Sequence, residues 1–158
     1  MSTIDSRSAR NIATLDPKAQ AAFTRFTHAA KAVAATMGCD YIAIAGNRSW
    51  AAQDALYAQG RTTGKPGAKV TNARGGYSNH NFGIAIDFGV FADGKYLDET
   101  NPRLADKVHR ACAEHAEDNG LAWGGLWESF PDTPHYEMAT LLTLAQKRER
   151  FEMKGSIL

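Results

Sequence analysis

Cysteine is scarce in this chain: Cys39 and Cys112 stand far apart, and neither belongs to a CxxC pair. A cysteine-ligated zinc knuckle is excluded, and the two thiols are read as small, half-buried hydrophobes. An excess of either charge is also lacking, since eighteen Lys and Arg face seventeen Asp and Glu for a net charge of +1. No basic run stands out before the mixed "QKRER" near the end, so nucleic acid is not expected as a partner. Long hydrophobic runs are missing too. "AAKAVAA" and "YIAIAG" fall far short of the roughly 20 residues a membrane span needs, so no membrane insertion is expected. The N-terminal "MSTIDSRSAR" has no hydrophobic signal core, which leads to the expectation of a product made in the cytoplasm. Internal repeats and low-complexity tracts are absent as well.

What is present suits one domain spanning residues 1 to 158, around one core. "DPKAQAAFTRFTHAAKAVAATM", residues 16 to 37, opens with Asp then Pro and predicts an amphipathic helix that stops at Gly38. "YIAIAGNRS" predicts a short, mostly buried strand ending at Gly46, and "SWAAQDALYAQG" a helix capped by Ser49 and stopped at Gly60. The stretch "RTTGKPGAKVTNARGGY" holds four glycines and a proline, shows no period, and reads as a long loop, of the kind that is either a functional lid or disordered. "GIAIDFGVF" alternates like a strand, and "ADGKY" carries an Asp-Gly hairpin signal. A helix is predicted over 102 to 119, strand and loop over the segment broken by Gly124, Gly125, Pro131 and Pro134, and a last helix over about 139 to 152.

The stretch "SNHNFGIAID" places His80 and Asp87 seven positions apart with Gly83 between them. On a helix these two would stand about 10 Å apart, too far to share an ion. A turn at Gly83 leading into a strand removes that difficulty: Ile84 and Ile86 then point to the core, and Ala85 and Asp87 the other way. No Lys or Arg lies within four residues of Asp87, so a buried carboxylate there calls for a metal or a distant Arg. "PDTPHYE" supplies a second histidine, His135, held extended after Pro134, with Asp132 three residues before it. Two histidines and one carboxylate leave a fourth position of a tetrahedral zinc open, the arrangement of a catalytic site. Glu128 and Glu137 compete with Asp132 for the role of base, and Glu137 shares a strand face with His135, where it could instead orient that ring. His28, His109 and His115 read as ordinary surface or core residues, Trp123 reads as core, and the helix-borne HExxH motif occurs nowhere.

These two stretches resemble the SxHxxGxAxD and acid-x-x-His motifs of the LAS-type zinc peptidases. That family includes D-alanyl-D-alanine carboxypeptidases, vancomycin-resistance dipeptidases and phage L-alanyl-D-glutamate endolysins. "GNRSWAAQDALYAQGRT" and "WGGLWESFPDTPHYE" extend the likeness along most of the chain, and the short length with "LYAQGRT" looks most like the endolysin branch. Leu126 is a departure, because that branch often has an acidic residue before the second Trp.

The resemblance implies an α+β, hedgehog/D-Ala-D-Ala-peptidase-like fold: a small antiparallel sheet carrying the ligands, with helices packed on it. It implies one Zn2+ per chain on His80, Asp87 and His135, Asp132 as catalytic base and Arg48 holding the substrate carbonyl. It further implies Ser78 and Gln53 lining the cleft and Trp127 packing against a bound peptide. Each has a plain rival: an ion pair for Arg48, a turn-stabilising hydroxyl for Ser78, an exposed helix face for Gln53, core packing for Trp127. The implied activity is cleavage of the L-Ala to D-Glu bond of the peptidoglycan stem peptide, by a monomer that lyses a phage host. The implied enzyme is made in the host cytoplasm and reaches the periplasmic wall through a holin-type pore. A D,D-carboxypeptidase and a non-catalytic zinc-containing wall-binding module are the alternatives. Lys65, Lys69 and Arg74 on the long loop are candidate contacts for substrate carboxylates.

Overall fold

Asp5 accepts the backbone N–H of Ser8 at 2.8 Å and so starts α1 (Ser6–Ala13), a short helix absent from the sequence reading. The computed structural model describes residues 3 to 158; Met1 and Ser2, the first two residues of "MSTIDSRSAR", lie outside the described residues. α2 (Pro17–Thr36) begins where its Asp-Pro signal places it, with the Asp16 carboxylate on the Lys18 N–H, and it buries Phe23 and Phe26. β1 (Asp40–Ala45) follows, then α3 (Trp50–Ala58), capped by Ser49 on the Ala52 N–H.

Beyond the long loop, a 3-10 turn (Asn79–Phe82) leads through Gly83, at φ +67°, into β2 (Ala85–Ala92). Gly83 meets two demands here, a left-handed backbone and an approach to Asp16 that leaves no room for a Cβ. Asp93 and Gly94, both at positive φ, turn β2 into β3 (Lys95–Tyr96) as the Asp-Gly signal predicts. The chain continues through α4 (Leu97–Thr100), α5 (Pro102–Ala113), β4 (Leu121–Trp123), β5 (His135–Met138) and α6 (Leu144–Lys154).

The strands form one antiparallel sheet in the order β1-β2-β5-β4, with β3 also paired to β2. Helices α2 and α5 cover one face. There Phe26 meets Tyr136 and Phe88 with ring centroids 4.5 and 5.4 Å away, and Phe88 stacks on Tyr41 at 5.0 Å. Each such aromatic, removed from water, contributes about 1.5–3 kcal/mol of burial. A buried polar chain crosses the same core: the Tyr41 hydroxyl lies 2.7 Å from His109 Nδ1, and His109 Nε2 lies 2.7 Å from Asp98. His109 is thus a core histidine.

Three sequence expectations are corrected. The helix expected over 102 to 119 ends at Ala113, and only a 3-10 turn (Glu117–Asn119) follows before Gly120 at φ +73°. The last helix starts at Leu144, not near 139, because Thr143 and Gln146 close a capping box around its first turn. Ile84 and Ile86 are both buried as expected, Ile84 with Phe82 and Ile157 in a second, smaller cluster and Ile86 in the main core. Both cysteines are buried, not half-buried, and unpaired, and burial pushes the Cys112 thiol up to about 12. Among the described residues no helix is long and apolar enough to cross a membrane.

Candidate active site

The register of the central pair builds the site. Asp87 stands opposite His135 across β2 and β5, and Ala85 stands opposite Glu137, so Asp87, His135 and Glu137 share the face that α2 and α5 leave uncovered. His80 arrives from the 3-10 turn, where Ser78 caps the His80 N–H at 3.4 Å and the His80 carbonyl accepts the Arg48 N–H at 2.8 Å. One oxygen of Asp87 lies 3.1 Å from His80 Nε2 and 3.1 Å from His135 Nδ1, and the three donor atoms fall within 4.8 Å of one another.

The outer nitrogens of both rings are already engaged. His80 Nδ1 lies 2.8 Å from the carbonyl of Gly46, which can only accept, so the proton sits on Nδ1 and Nε2 presents its lone pair. His135 Nε2 lies 2.8 Å from Glu137 Oε2, which turns its Nδ1 inward in the same way. Asn79 Nδ2 donates to the same Glu137 oxygen at 2.5 Å, and Lys147 donates to Asn79 at 2.8 Å. Burial alone would raise the Asp87 carboxyl, but its contacts with His135 and His80 outweigh it and hold the group well below its ordinary value. Burial alone would lower His135, yet its contacts with Asp87 and Glu137 hold it up at about 9. The site is built to keep a cation. Two inward ring nitrogens, from which a cation displaces any proton held there, an ionised carboxylate and rings fixed from behind fit a zinc ion on His80, Asp87 and His135.

These groups open onto a cleft of about 410 Å³ whose walls include Arg48, Gln53, Ser78, Trp127 and Asp132. Asp132 is half-buried, and among the described residues its carboxylate has no hydrogen-bond partner. Burial and the nearby charge of Asp87 push its carboxyl upward, which strengthens it as a proton acceptor. Its turn is clamped at Gly124, where the Asp132 carbonyl passes so close that a Cβ would collide with it. Glu137 is committed to His135 and Asn79, and Glu128 is exposed, which leaves Asp132 as the unengaged acid of the cleft.

Arg48 donates to Gln53 Oε1 at 2.8 Å and has no ion pair among the described residues. Gln53 is not on an exposed helix face: it is 1% exposed, and its amide nitrogen holds the Ala73 carbonyl at 2.7 Å. Trp127 lies with its ring 5.0 Å from that of His135, and Trp123 is buried, donating to the Thr133 carbonyl. Lys65 and Lys69 are exposed on the loop, whereas Arg74 lies against Tyr77 of the cleft wall. The sequence reading missed Asn79, Lys147 and the Gly46 carbonyl. Asn79 adjoins a ligand and could have been flagged, but nothing local marks Lys147, on a helix 68 positions away.

Comparison with known proteins agrees with this geometry. A family model for D-alanyl-D-alanine carboxypeptidase matches residues 71–138, which hold all three candidate ligands and Asp132. The chain is 44% identical over 117 residues to the peptidoglycan L-alanyl-D-glutamate endopeptidase CwlK of Bacillus subtilis, covering 70% of this chain and 67% of that protein. Among solved structures, the L-Ala D-Glu endopeptidase ChiX of Serratia marcescens superposes with a TM-score of 0.53 at 20% identity, over 85% of this chain and 87% of that one. A vancomycin-resistance D,D-pentapeptidase VanY, solved in complex with Zn(II), gives 0.57 at 16% identity, over 90% and 80%. The fold is therefore that of the LAS peptidases, an α+β arrangement with helices packed on a small antiparallel sheet. With its two motifs, its donor set and its relatives in agreement, this chain belongs to the LAS-type zinc metallopeptidases of the D-alanyl-D-alanine carboxypeptidase family.

Proposed function

We propose that the protein is a peptidoglycan peptidase that cleaves the L-Ala to D-Glu bond of the stem peptide, with one zinc ion per chain. The observation that carries the hydrolytic reading is the free Asp132 carboxylate facing the same cleft as the His80, Asp87 and His135 donors. A purely structural metal site has no need of such a group. The choice of bond is supported by the 44% identity to an L-alanyl-D-glutamate endopeptidase.

Zinc held by these three residues would supply the positive charge that polarises a carbonyl and acidifies a water at neutral pH. Asp132 takes the proton from the attacking water and returns it to the leaving amine. Arg48, steadied by Gln53, faces the developing oxyanion, where a fixed charge acts on the transition state more than on the ground state. Ser78 and Trp127 border the peptide's path.

The wider role proposed is that of a monomeric, single-domain phage lysin, made in the host cytoplasm and passed to the periplasmic wall by a holin-type partner. The likeness of "LYAQGRT" to the endolysin branch supports it. Digestion of purified peptidoglycan with the zinc-loaded protein, followed by mass spectrometry, tests the enzymatic reading. New N-terminal D-Glu is expected; release of D-Ala alone would make the protein a D,D-carboxypeptidase, and wall binding without products a binding module. Expression with and without a holin tests the wider role, since lysis that needs no partner would remove it.

A further inference from the structure

Arg74 and Tyr77 are the first and last residues of a β-turn closed by the Tyr77 N–H on the Arg74 carbonyl at 3.0 Å, with Gly76 at φ +78° inside it. The turn is rigid: Asn81 Oδ1 accepts the N–H groups of Gly76 and Ser78, and a Cβ at either glycine would run into Trp50. The Arg74 guanidinium lies 4.6 Å from the centre of the Tyr77 ring and donates to its hydroxyl at 3.0 Å. Arg148, from α6, lies 4.1 Å from the same ring. Tyr77 itself lines the catalytic cleft beside Ser78.

Two guanidiniums are thus gathered on one ring at the cleft wall, and neither has an ion-pair partner among the described residues. Asp54, an acid close by, is held by the Gly75 N–H at 2.7 Å. Stacking on tyrosine needs only one cation, and a second of the same sign beside it is unfavourable unless an anion joins them.

We infer that Arg74, Tyr77 and Arg148 form a subsite that binds a carboxylate of the substrate peptide. This rests on the reading above. In a stem peptide the residue after the scissile bond continues through its γ-carboxyl, which leaves its α-carboxylate free beside the reacting amide. A diamino acid at the third position offers a second source of the same chemistry. Arg74 and Arg148 supply the charge, and Tyr77, which both guanidiniums contact, ties them to the cleft wall.

Kinetics of the zinc-loaded protein on three synthetic stem peptides test this. The first has a free α-carboxylate on D-Glu and lysine next, the second has that carboxylate as a carboxamide, and the third carries the carboxamide with meso-diaminopimelate in place of lysine. For the wild type, KM should be lower by roughly three- to tenfold for the free carboxylate than for the carboxamide, with similar kcat. Recovery of the low KM in the third peptide would place the bound carboxylate on the third residue. The double variant Arg74→Gln, Arg148→Gln should lose the preference, its KM on the first peptide rising to match its KM on the second. The Lys, Lys double variant should keep part of it. Equal KM for all three peptides in the wild type, with the L-Ala to D-Glu bond still cut, would overturn the subsite and leave the proposed function standing. Cleavage confined to terminal D-Ala would overturn both.

Discussion

Asp87 and His135 stand directly opposite each other on neighbouring antiparallel strands, with Asp87 Oδ1 3.1 Å from His135 Nδ1. Backbone pairing, not side-chain reach, sets this separation, so the two candidate ligands are held ready before any ion arrives. Pre-organisation of this kind spares the entropy of ordering them on binding.

The first prediction concerns Asp87 itself. Asp87→Asn keeps the shape of the residue and removes the charge, and zinc affinity should fall more than about 100-fold, beyond the loss seen when only a supporting residue is changed. Metal titration by calorimetry checks it. Chelator treatment of the wild type should abolish cleavage, and added zinc should restore it.

Glu137 should matter without touching substrate. It fixes the His135 ring from behind, so Glu137→Ala is expected to lower zinc affinity about 10- to 100-fold. Saturating zinc should return most of the kcat. A variant that stays inactive when fully loaded would make Glu137 a participant in the chemistry.

Asp132→Asn should leave zinc content unchanged and reduce kcat by about 10²- to 10⁴-fold, the usual worth of a positioned acid or base. Metal analysis and steady-state rates on the same sample separate this outcome from loss of the ion. Undiminished turnover would remove Asp132 from the mechanism.

Arg48 and Gln53 should behave as a coupled pair. Arg48→Ala should cost about 10²- to 10³-fold in kcat, as removal of an oxyanion donor does. Gln53→Ala should cost less in kcat and also raise KM, because the buried amide joins Arg48 to the wall at Ala73. A double-mutant cycle with additive effects would show that the two act independently.

A pH effect on stability is expected at Asp5, which does not line the cleft. Burial raises its carboxyl, but hydrogen bonds from Ser8 and the Lys31 ammonium at 3.1 Å outweigh this, and the group sits below its ordinary value when folded. Its stabilising contribution should be complete above the unfolded value of about 3.9 and fade as acid titrates the group through its lower folded value. Denaturant midpoints of wild type and Asp5→Asn should therefore converge as pH falls below about 4. A constant gap across that range would assign the effect to helix capping alone.

The candidate ligands were legible in the sequence because each lies inside a short stretch whose geometry is local. Gly83 announced the turn, and strand alternation put Asp87 and Ile86 on opposite faces. The caps at Asp16 and Ser49 and the Asp93–Gly94 hairpin were legible for the same reason, since each is a hydrogen bond or a dihedral preference within four residues. The ends of α5 and α6 were less so, because they depend on where neighbouring segments stop contributing partners.

The sequence by itself determined which residues could hold a metal and which backbone shapes would present them, since periodicity, glycine and proline act over a few positions. Only the tertiary structure decided that Asp87 meets His135 across 48 positions, that Glu137 is spent on a ring nitrogen, and that Gln53 is buried under the loop. It also brought Arg148 to Tyr77. Strand register and helix docking follow from the burial of surfaces far apart in the chain, and no local pattern specifies which surfaces will meet.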